Sequence, residues 1–386
     1  MFTIASVPCG VAPTLWLLIG ARATQGLGAA VMMALTMAFI GETVPKETTG
    51  SAMGLLGTMS AIGTALGPSL DGVLIAGLGW RAIFFVNVPL GSLTFLFALR
   101  HLPANRPQPA TDHVRFDHVG TLLLAMTLAA YALALTIGRG SFGLLNIALL
   151  VAAVASRPFC ARGEKGGNAF DPAVDVPRSC AEWQSGHECA GFDGNHGHAG
   201  RRAVLPVTRV RTRRGDAGLV LSAGPVAAAL AGVPSGNLVD RLGAQRMTIV
   251  GLVGIAAGCT ALAMVPVAFG LAGYLAPIVV LTVGYALFQA ANNTAIMADV
   301  GPDQRGVVSG MLNLSRNLGF VTGASVLGAI FALASSAGDI GAAGPAAFGA
   351  GMRITFAVAA GLIVLALAIA FVNETRSVRM GHSADN

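Results

Sequence analysis

A chain of 386 residues that is 54% hydrophobic and 11% charged, with a mean hydropathy of +0.70, lies outside the range of soluble globular domains and reads as an integral membrane protein. Apolar windows of about 20 residues recur along it without period-two alternation, which selects a multi-span helical bundle over a β-barrel. The formal charge of +6 does not imply a nucleic-acid partner, because ten of the 24 Lys and Arg fall between Arg157 and Arg214.

Residues 1–11 are apolar but too short for a full span, and they lack the basic segment of a signal peptide. A first full span is expected at 15–40, followed by spans at 51–77, 82–100, 117–137 and a short one at 143–156. After a polar interruption, spans resume at 217–235, 247–269, 273–298, 307–334 and 352–373. If these alternate in direction, Lys46, Arg100, Arg106, Arg115, Arg241, Arg246, Arg305, Arg376 and Arg379 fall on one side, which the positive-inside rule makes the cytoplasm. Arg81, Arg139 and Arg353 are the exceptions.

The span at 51–77 carries glycine at 54, 57, 63, 67 and 72 and proline at 68, with Gly50 just before it. A helix interior normally avoids both residues, since glycine costs about 1 kcal/mol relative to alanine and proline about 3 kcal/mol. In lipid the compensation is close approach, so glycines four apart, such as Gly63 and Gly67, are expected to form a groove for a neighbouring backbone. Pro68 removes a backbone hydrogen bond and can bend the helix there. Adding 256 to Gly28, Gly50, Gly54, Gly63, Gly67 and Gly72 gives Gly284, Gly306, Gly310, Gly319, Gly323 and Gly328. One coincidence is uninformative in a glycine-rich chain, but six at a single offset indicate two related halves, with a substrate path expected at their interface.

The segment RATQGLGAA at 22–30 resembles the fourth-helix motif of the major facilitator superfamily. Gly54, Gly63, Gly67, Pro68 and Gly72 match its fifth-helix antiporter motif, and WRAIFFVNVPLG at 80–91 is similar to the start of the sixth helix in the fourteen-helix drug:proton antiporters. Gly236, Asp240, Arg241, Gly243 and Arg246 within GNLVDRLGAQR match the second copy of its cytoplasmic loop motif. The resemblance implies an all-α major facilitator bundle of two related halves, exporting small amphipathic, often cationic molecules across a bacterial cytoplasmic (inner) membrane by alternating access. It implies a proton gradient as energy source, no cofactor, and the lipid bilayer, the substrate and protons as partners; it also admits a periplasmic adaptor protein.

In that reading Gly63, Gly67 and Pro68 form a tight, bendable seam, Asp240 and Arg241 form a charge latch between helix ends, and Arg22 is a polar centre of the proton path. Gln25, Asp71, Gln289, Asn292, Asn293, Asn313 and Arg316 are the other polar groups assigned to the proton and substrate path. For each Asn or Gln the competing role is an interhelical hydrogen bond of about 0.6 kcal/mol. For Arg22 and Arg316 a functional role is favoured, because a charge at a membrane-helix centre costs about 2.5–3.5 kcal/mol.

Three features depart from the family pattern. Met1 aligns within the family's third helix, so two helices and the first loop-motif copy are expected to be missing; the architecture is then incomplete, and an inactive remnant stands beside an active carrier. Asp71 replaces a glycine of the motif. Counting about 1.5 Å per residue from the outer span ends places it about 9 Å deep and Arg22 about 10 Å deep, so an ion pair between them is expected. Against that stands an Asp71 that reaches to the outer surface.

Residues 157–215 are polar and aperiodic and hold Cys160, Cys180, Cys189, His187, His196 and His198. They contain no C-x2-C or H-x3-H pair, so no metal site is expected. A displaced reading frame accounts for them better, since 187–208 read one base out of frame can encode an apolar span. The organisation expected is an N-terminal half at 1–100, a basic loop and two linker helices at 101–156, the aberrant segment at 157–215, a C-terminal half at 216–375 and a cytoplasmic tail at 376–386. No enzyme constellation is present. The alternative function is a membrane-anchored metal- or redox-sensing protein that uses the Cys/His segment.

Overall fold

The computed structural model describes residues 1–101, 118–136, 214–265, 269–298, 300–301, 304–335 and 345–384. Every regular element among them is helical. In the first half, α1 (Phe2–Val11) is followed by α2 (Leu15–Thr43), a 3₁₀ turn (Lys46–Thr48) and α3 (Thr49–Leu78). Then come α4 (Ala82–Phe85) and α5 (Asn87–His101), and α6 (His118–Thr136) follows before the second half. The second half holds α7 (Arg214–Leu242), α8 (Ala244–Met264), α9 (Gly270–Ala298), α10 (Arg305–Ala334) and α11 (Pro345–Ala384).

Seven helices among the described residues are long and apolar enough to cross a membrane. These seven correspond to the expected spans at 15–40, 51–77, 82–100, 247–269, 273–298, 307–334 and 352–373, whereas the stretches expected as spans at 117–137 and 217–235 are helical in α6 and α7 but are not among the seven. The expected 82–100 span divides into α4 and α5 at Val86. Pro89 has no N–H to return to the Phe85 carbonyl, and the Asn87 Nδ2 donates instead to the Ile83 carbonyl at 3.3 Å. Helix α11 continues to Ala384, through the stretch expected to be a tail. The expected span at 143–156, the aberrant segment up to Arg213, Arg106, Arg115 and Arg139 lie outside the described residues, as do the side chains of Pro68, Arg376 and Arg379.

The two halves share a packing device. A Cβ on Gly28 would lie 2.6 Å from the Phe2 nitrogen, so that glycine lets α2 close on α1. Under the 256-residue offset its counterpart is Gly284, where a Cβ would lie 2.8 Å from the Ile255 nitrogen and block α9 from α8. Around that contact Leu252, Ile255, Cys259, Leu281, Phe288 and Ile363 form the main core, shared by α8, α9 and α11. Gly284→Val is expected to force these helices apart at a cost of about 1–3 kcal/mol and to lower the thermal unfolding midpoint of the detergent-solubilised protein. Helix α6 docks on α10, where the Tyr131 hydroxyl and Thr322 Oγ1 lie 2.5 Å apart. Helix α3 packs chiefly across the molecule on α7 rather than within its own half.

Candidate functional site: a seam and a cavity between the halves

The halves meet tightly at one end. Helix α3 begins at Thr49, and its first turn leaves backbone N–H groups without intrahelical partners. The Asp240 carboxylate, at the end of α7, fills that need. Its Oδ1 accepts from the Gly50 nitrogen at 2.6 Å, and its Oδ2 accepts from the Ser51 nitrogen at 2.7 Å and from the Ser51 hydroxyl. A negative charge on a helix N-terminus also gains from the helix dipole. Gly243, with φ +90° and ψ 141°, makes the turn into α8 in a conformation that suits glycine alone.

Above the Asp240 contact, α3 and α7 touch through their backbones. A Cβ on Gly54 would run into the Gly232 carbonyl and lie 2.9 Å from the Gly236 Cα, and one on Gly236 would run into the Gly50 carbonyl. The same end is closed on its other flank by α2 and α10. There the Ser309 hydroxyl donates to the Ala34 carbonyl at 2.6 Å, the Arg305 side chain lies along Gly41, and Met37, Met53, Ile296, Met297, Val308 and Leu312 form a common core. Lys46, Arg241 and Arg305 belong to this end.

Beyond Gly54 the halves separate around a cavity of about 280 Å³, lined by residues of α2, α3, α7, α9 and α10. The α3 wall is Gly57, Ser60, Ala61 and Thr64, and the facing wall includes Tyr285, Gln289, Arg316, Asn317 and Phe320. A recess of about 10 Å³ adjoins it, sharing Tyr285, Gln289, Arg316 and Phe320 and adding Phe288, Asn292 and Asn293. With its carboxamide turned oxygen-first, Gln289 accepts from Arg316 Nη1 at 3.1 Å and from Nη2.

The assigned path residues are thus divided by the structure. Gln289, Asn292, Asn293 and Arg316 come together at the cavity. Asn313 does not line it: the Asn313 Nδ2 donates to the Ser309 carbonyl at 3.0 Å and lies 3.9 Å from Met37 Sδ in the α2–α10 contact. Arg22 and Gln25 also lie elsewhere. Arg22 Nη1 donates to Gln25 Oε1 at 2.9 Å, Gln25 Nε2 donates to Ser6 Oγ at 2.8 Å, and Gln25 is only 2% exposed, so this chain of bonds ties α2 to α1.

Three expectations need correction. Arg22 and Asp71 form no ion pair; Arg22 lies over the Phe84 ring at 5.8 Å, and Asp71 is half-buried on α3. Equal depth along two neighbouring helices does not fix which way each helix face turns. Arg241 is exposed and is no partner in the Asp240 latch, whose donors are the backbone and hydroxyl at the start of α3. The close backbone approach on α3 occurs at Gly50 and Gly54; a Cβ on Gly63, Gly67 or Gly72 would meet nothing within 4 Å among the described residues. Arg246 is also exposed. No group of three or more His, Cys, Asp and Glu among the described residues could hold a metal ion, and the Cys/His segment lies outside them.

Ser60, Thr64, Tyr285, Asn317 and Phe320 line the cavity but are not among the residues singled out from sequence. A signal for them exists in the helical spacing of 57, 60, 61 and 64 on α3, a stripe of small and hydroxylated residues.

A multi-span helical protein with two related halves and a cavity at their interface has the architecture of a secondary transporter. The sequence profile of the Major Facilitator Superfamily matches residues 1–156 and 203–384, and the chain belongs to that superfamily. Its fold is characteristically that of a carrier and not of an enzyme. Among its relatives, the uncharacterized transporter YebQ of Escherichia coli is 28% identical over 331 residues, covering 85% of this chain and 72% of that protein. The multidrug resistance protein Stp of Mycobacterium tuberculosis is 29% identical over 348 residues, covering 86% of this chain and 62% of that protein. The riboflavin transporter RibZ of Clostridioides difficile is 25% identical over 335 residues, covering 86% of this chain and 72% of that protein.

Proposed function

We propose that the chain works as an alternating-access efflux carrier of the drug:proton antiporter type, moving small amphipathic molecules out of a bacterial cytoplasm across the inner membrane. The observation that carries this reading is the cavity of about 280 Å³ between the halves, closed at the basic end by the Asp240 latch and the Gly54 seam. By the positive-inside rule that end is cytoplasmic, so the arrangement is a cytoplasm-closed one. A carrier also needs the opposite closure. In this reading the outer glycines of α3, Gly63 and Gly67, which stand open here, supply that closure in the alternate state, with Pro68 allowing the bend. The direction of transport is supported by a relative named as a drug efflux pump, JefA of Mycobacterium tuberculosis, 29% identical over 348 residues, and the proton gradient as energy source by the antiporter motif on α3.

The test uses the full chain in lipid vesicles with an imposed pH gradient and a panel of neutral, anionic and cationic fluorophores. Movement of at least one probe, collapsing when a protonophore is added and reduced in Arg22→Ala, is expected. Movement indifferent to the gradient would remove the proton coupling and leave a simple carrier. No movement of any probe would overturn the carrier reading.

A further inference from the structure

We propose that the site built around Arg316 recognises an anionic group, so that the molecules carried are amphipathic anions such as aromatic carboxylates rather than cations. This rests on the carrier reading above and narrows its substrate class. Arg316 lies 11 residues into α10, or about 16 Å along the helix at 1.5 Å per residue, close to the middle of a hydrocarbon layer about 30 Å thick. A guanidinium there needs counter-charge or a dense set of acceptors.

The structure offers little of either. Among the described residues that line the cavity and its recess there is no Asp or Glu, and Arg316 is the one side chain with a formal charge at neutral pH. Its partner is the neutral Gln289 carboxamide, a single oxygen set against five N–H donors. The planar fork left over matches the two oxygens of a carboxylate.

The recess beside Arg316 holds one more unmet polar group. Asn292 is 1% exposed, lines the same recess, and has its Oδ1 buried with no hydrogen-bond partner. A buried acceptor left without a donor is costly, so a hydroxyl or N–H on the body of the ligand, rather than its oxyanion, would answer Asn292. Asn293, 4% exposed, stands beside it. Tyr285 and Phe320 also line the larger cavity and give it aromatic surface for the apolar body of the ligand. A cation in the same place would face Arg316 with no acidic residue to offset the repulsion.

The test compares three probes of one shape and different charge, 2-naphthoate, 2-naphthamide and 2-naphthylmethylammonium, by equilibrium dialysis against the full chain in nanodiscs of zwitterionic lipid. The wild-type protein is expected to bind naphthoate at least about tenfold more tightly than the amide and the ammonium least. In Arg316→Gln the naphthoate-to-amide ratio is expected to fall to about one, and in Arg316→Lys to be intermediate. Because the wild-type ratio is itself a readout, an Arg316 variant that fails to fold leaves the proposal exposed to disproof. Equal binding of the three probes, or a preference for the ammonium, would overturn it. Displacement of naphthoate when the nanodisc contains phosphatidylglycerol would assign the site to a lipid headgroup and also overturn the substrate claim. Vesicle transport of the amide without anion preference in binding would sink this inference and leave the carrier reading standing. Arg316-dependent naphthoate binding without transport of any probe would do the reverse.

Discussion

Gly54→Val is expected to abolish cytoplasmic closure and reduce vesicle transport by at least about tenfold. The argument is geometric. A Cβ at this position would overlap the Gly232 carbonyl and lie 2.9 and 3.0 Å from the Gly236 Cα and nitrogen. All of these are backbone atoms, which cannot swing aside as a flexible side chain could. The branched valine adds two methyl groups to that overlap, so α3 and α7 must part, and the Asp240 carboxylate withdraws from the Gly50 and Ser51 nitrogens with them. Interiors packed at crystalline density respond to such an insertion by a shift worth about 1–3 kcal/mol, and each 1.4 kcal/mol is about a factor of ten in a conformational equilibrium.

The readout that isolates closure from general damage is labelling of Ser60→Cys, in the cavity wall, by a membrane-impermeant maleimide applied from the cytoplasmic side. Labelling should rise in Gly54→Val. In Gly67→Val, where a Cβ meets nothing within 4 Å in the cytoplasm-closed state, the cytoplasmic labelling should not rise; if Gly67 belongs to the opposite seam, outside labelling should increase instead. Equal responses from the two variants would show that α3 has no such division between its ends.

That contrast also marks how far the sequence could be read. Span positions were legible because about 20 consecutive apolar residues have few other uses, and the two halves because their glycines recur at one offset. The partner of each glycine was not legible. A membrane helix is apolar on every side, so the periodicity that identifies the buried face of a soluble helix is weak here. Gly54 and Gly67 look alike in sequence, yet one meets α7 and the other meets no described residue.

The same limit explains the fate of Arg22. Its depth could be counted along the helix, but its rotation about the helix axis could not, and the bond to Gln25 turns it toward α1 and away from the cavity. Asp240 was legible because a turn motif fixes its surroundings locally. Arg316 was legible because a charge in a membrane helix has few places to go. The hydroxyl and aromatic residues of the cavity wall, Ser60, Thr64, Tyr285 and Phe320, are tolerated anywhere in such a helix and so carry no signal singly.

Asp240→Ala is expected to have the second large effect, and Arg241→Ala almost none. The Asp240 carboxylate accepts from two backbone nitrogens and one hydroxyl at the start of α3. Hydrogen bonds to a charged group contribute about 1.5–3 kcal/mol, and a charge at a helix N-terminus adds about 0.3–1 kcal/mol where it is partly exposed. Removing the side chain leaves the Gly50 and Ser51 N–H groups without these partners at a half-buried contact, so the cytoplasm-closed state should lose roughly 2–3 kcal/mol. Maleimide labelling of Ser60→Cys from the cytoplasmic side should then rise as it does for Gly54→Val.

Asp240→Asn discriminates further. The amide keeps one acceptor oxygen but presents an NH2 to a donor, so it should fall between wild type and Asp240→Ala. Ser51→Ala removes one donor and leaves the backbone pair, so its effect should be the smallest of the latch variants. Arg241 is exposed and takes no part in these bonds, and surface charges of that kind contribute at most about 1 kcal/mol. If Arg241→Ala opened the cytoplasmic end as strongly as Asp240→Ala, the latch would be an ion pair between helix ends, and the assignment of Asp240 to the α3 N-terminus would be wrong.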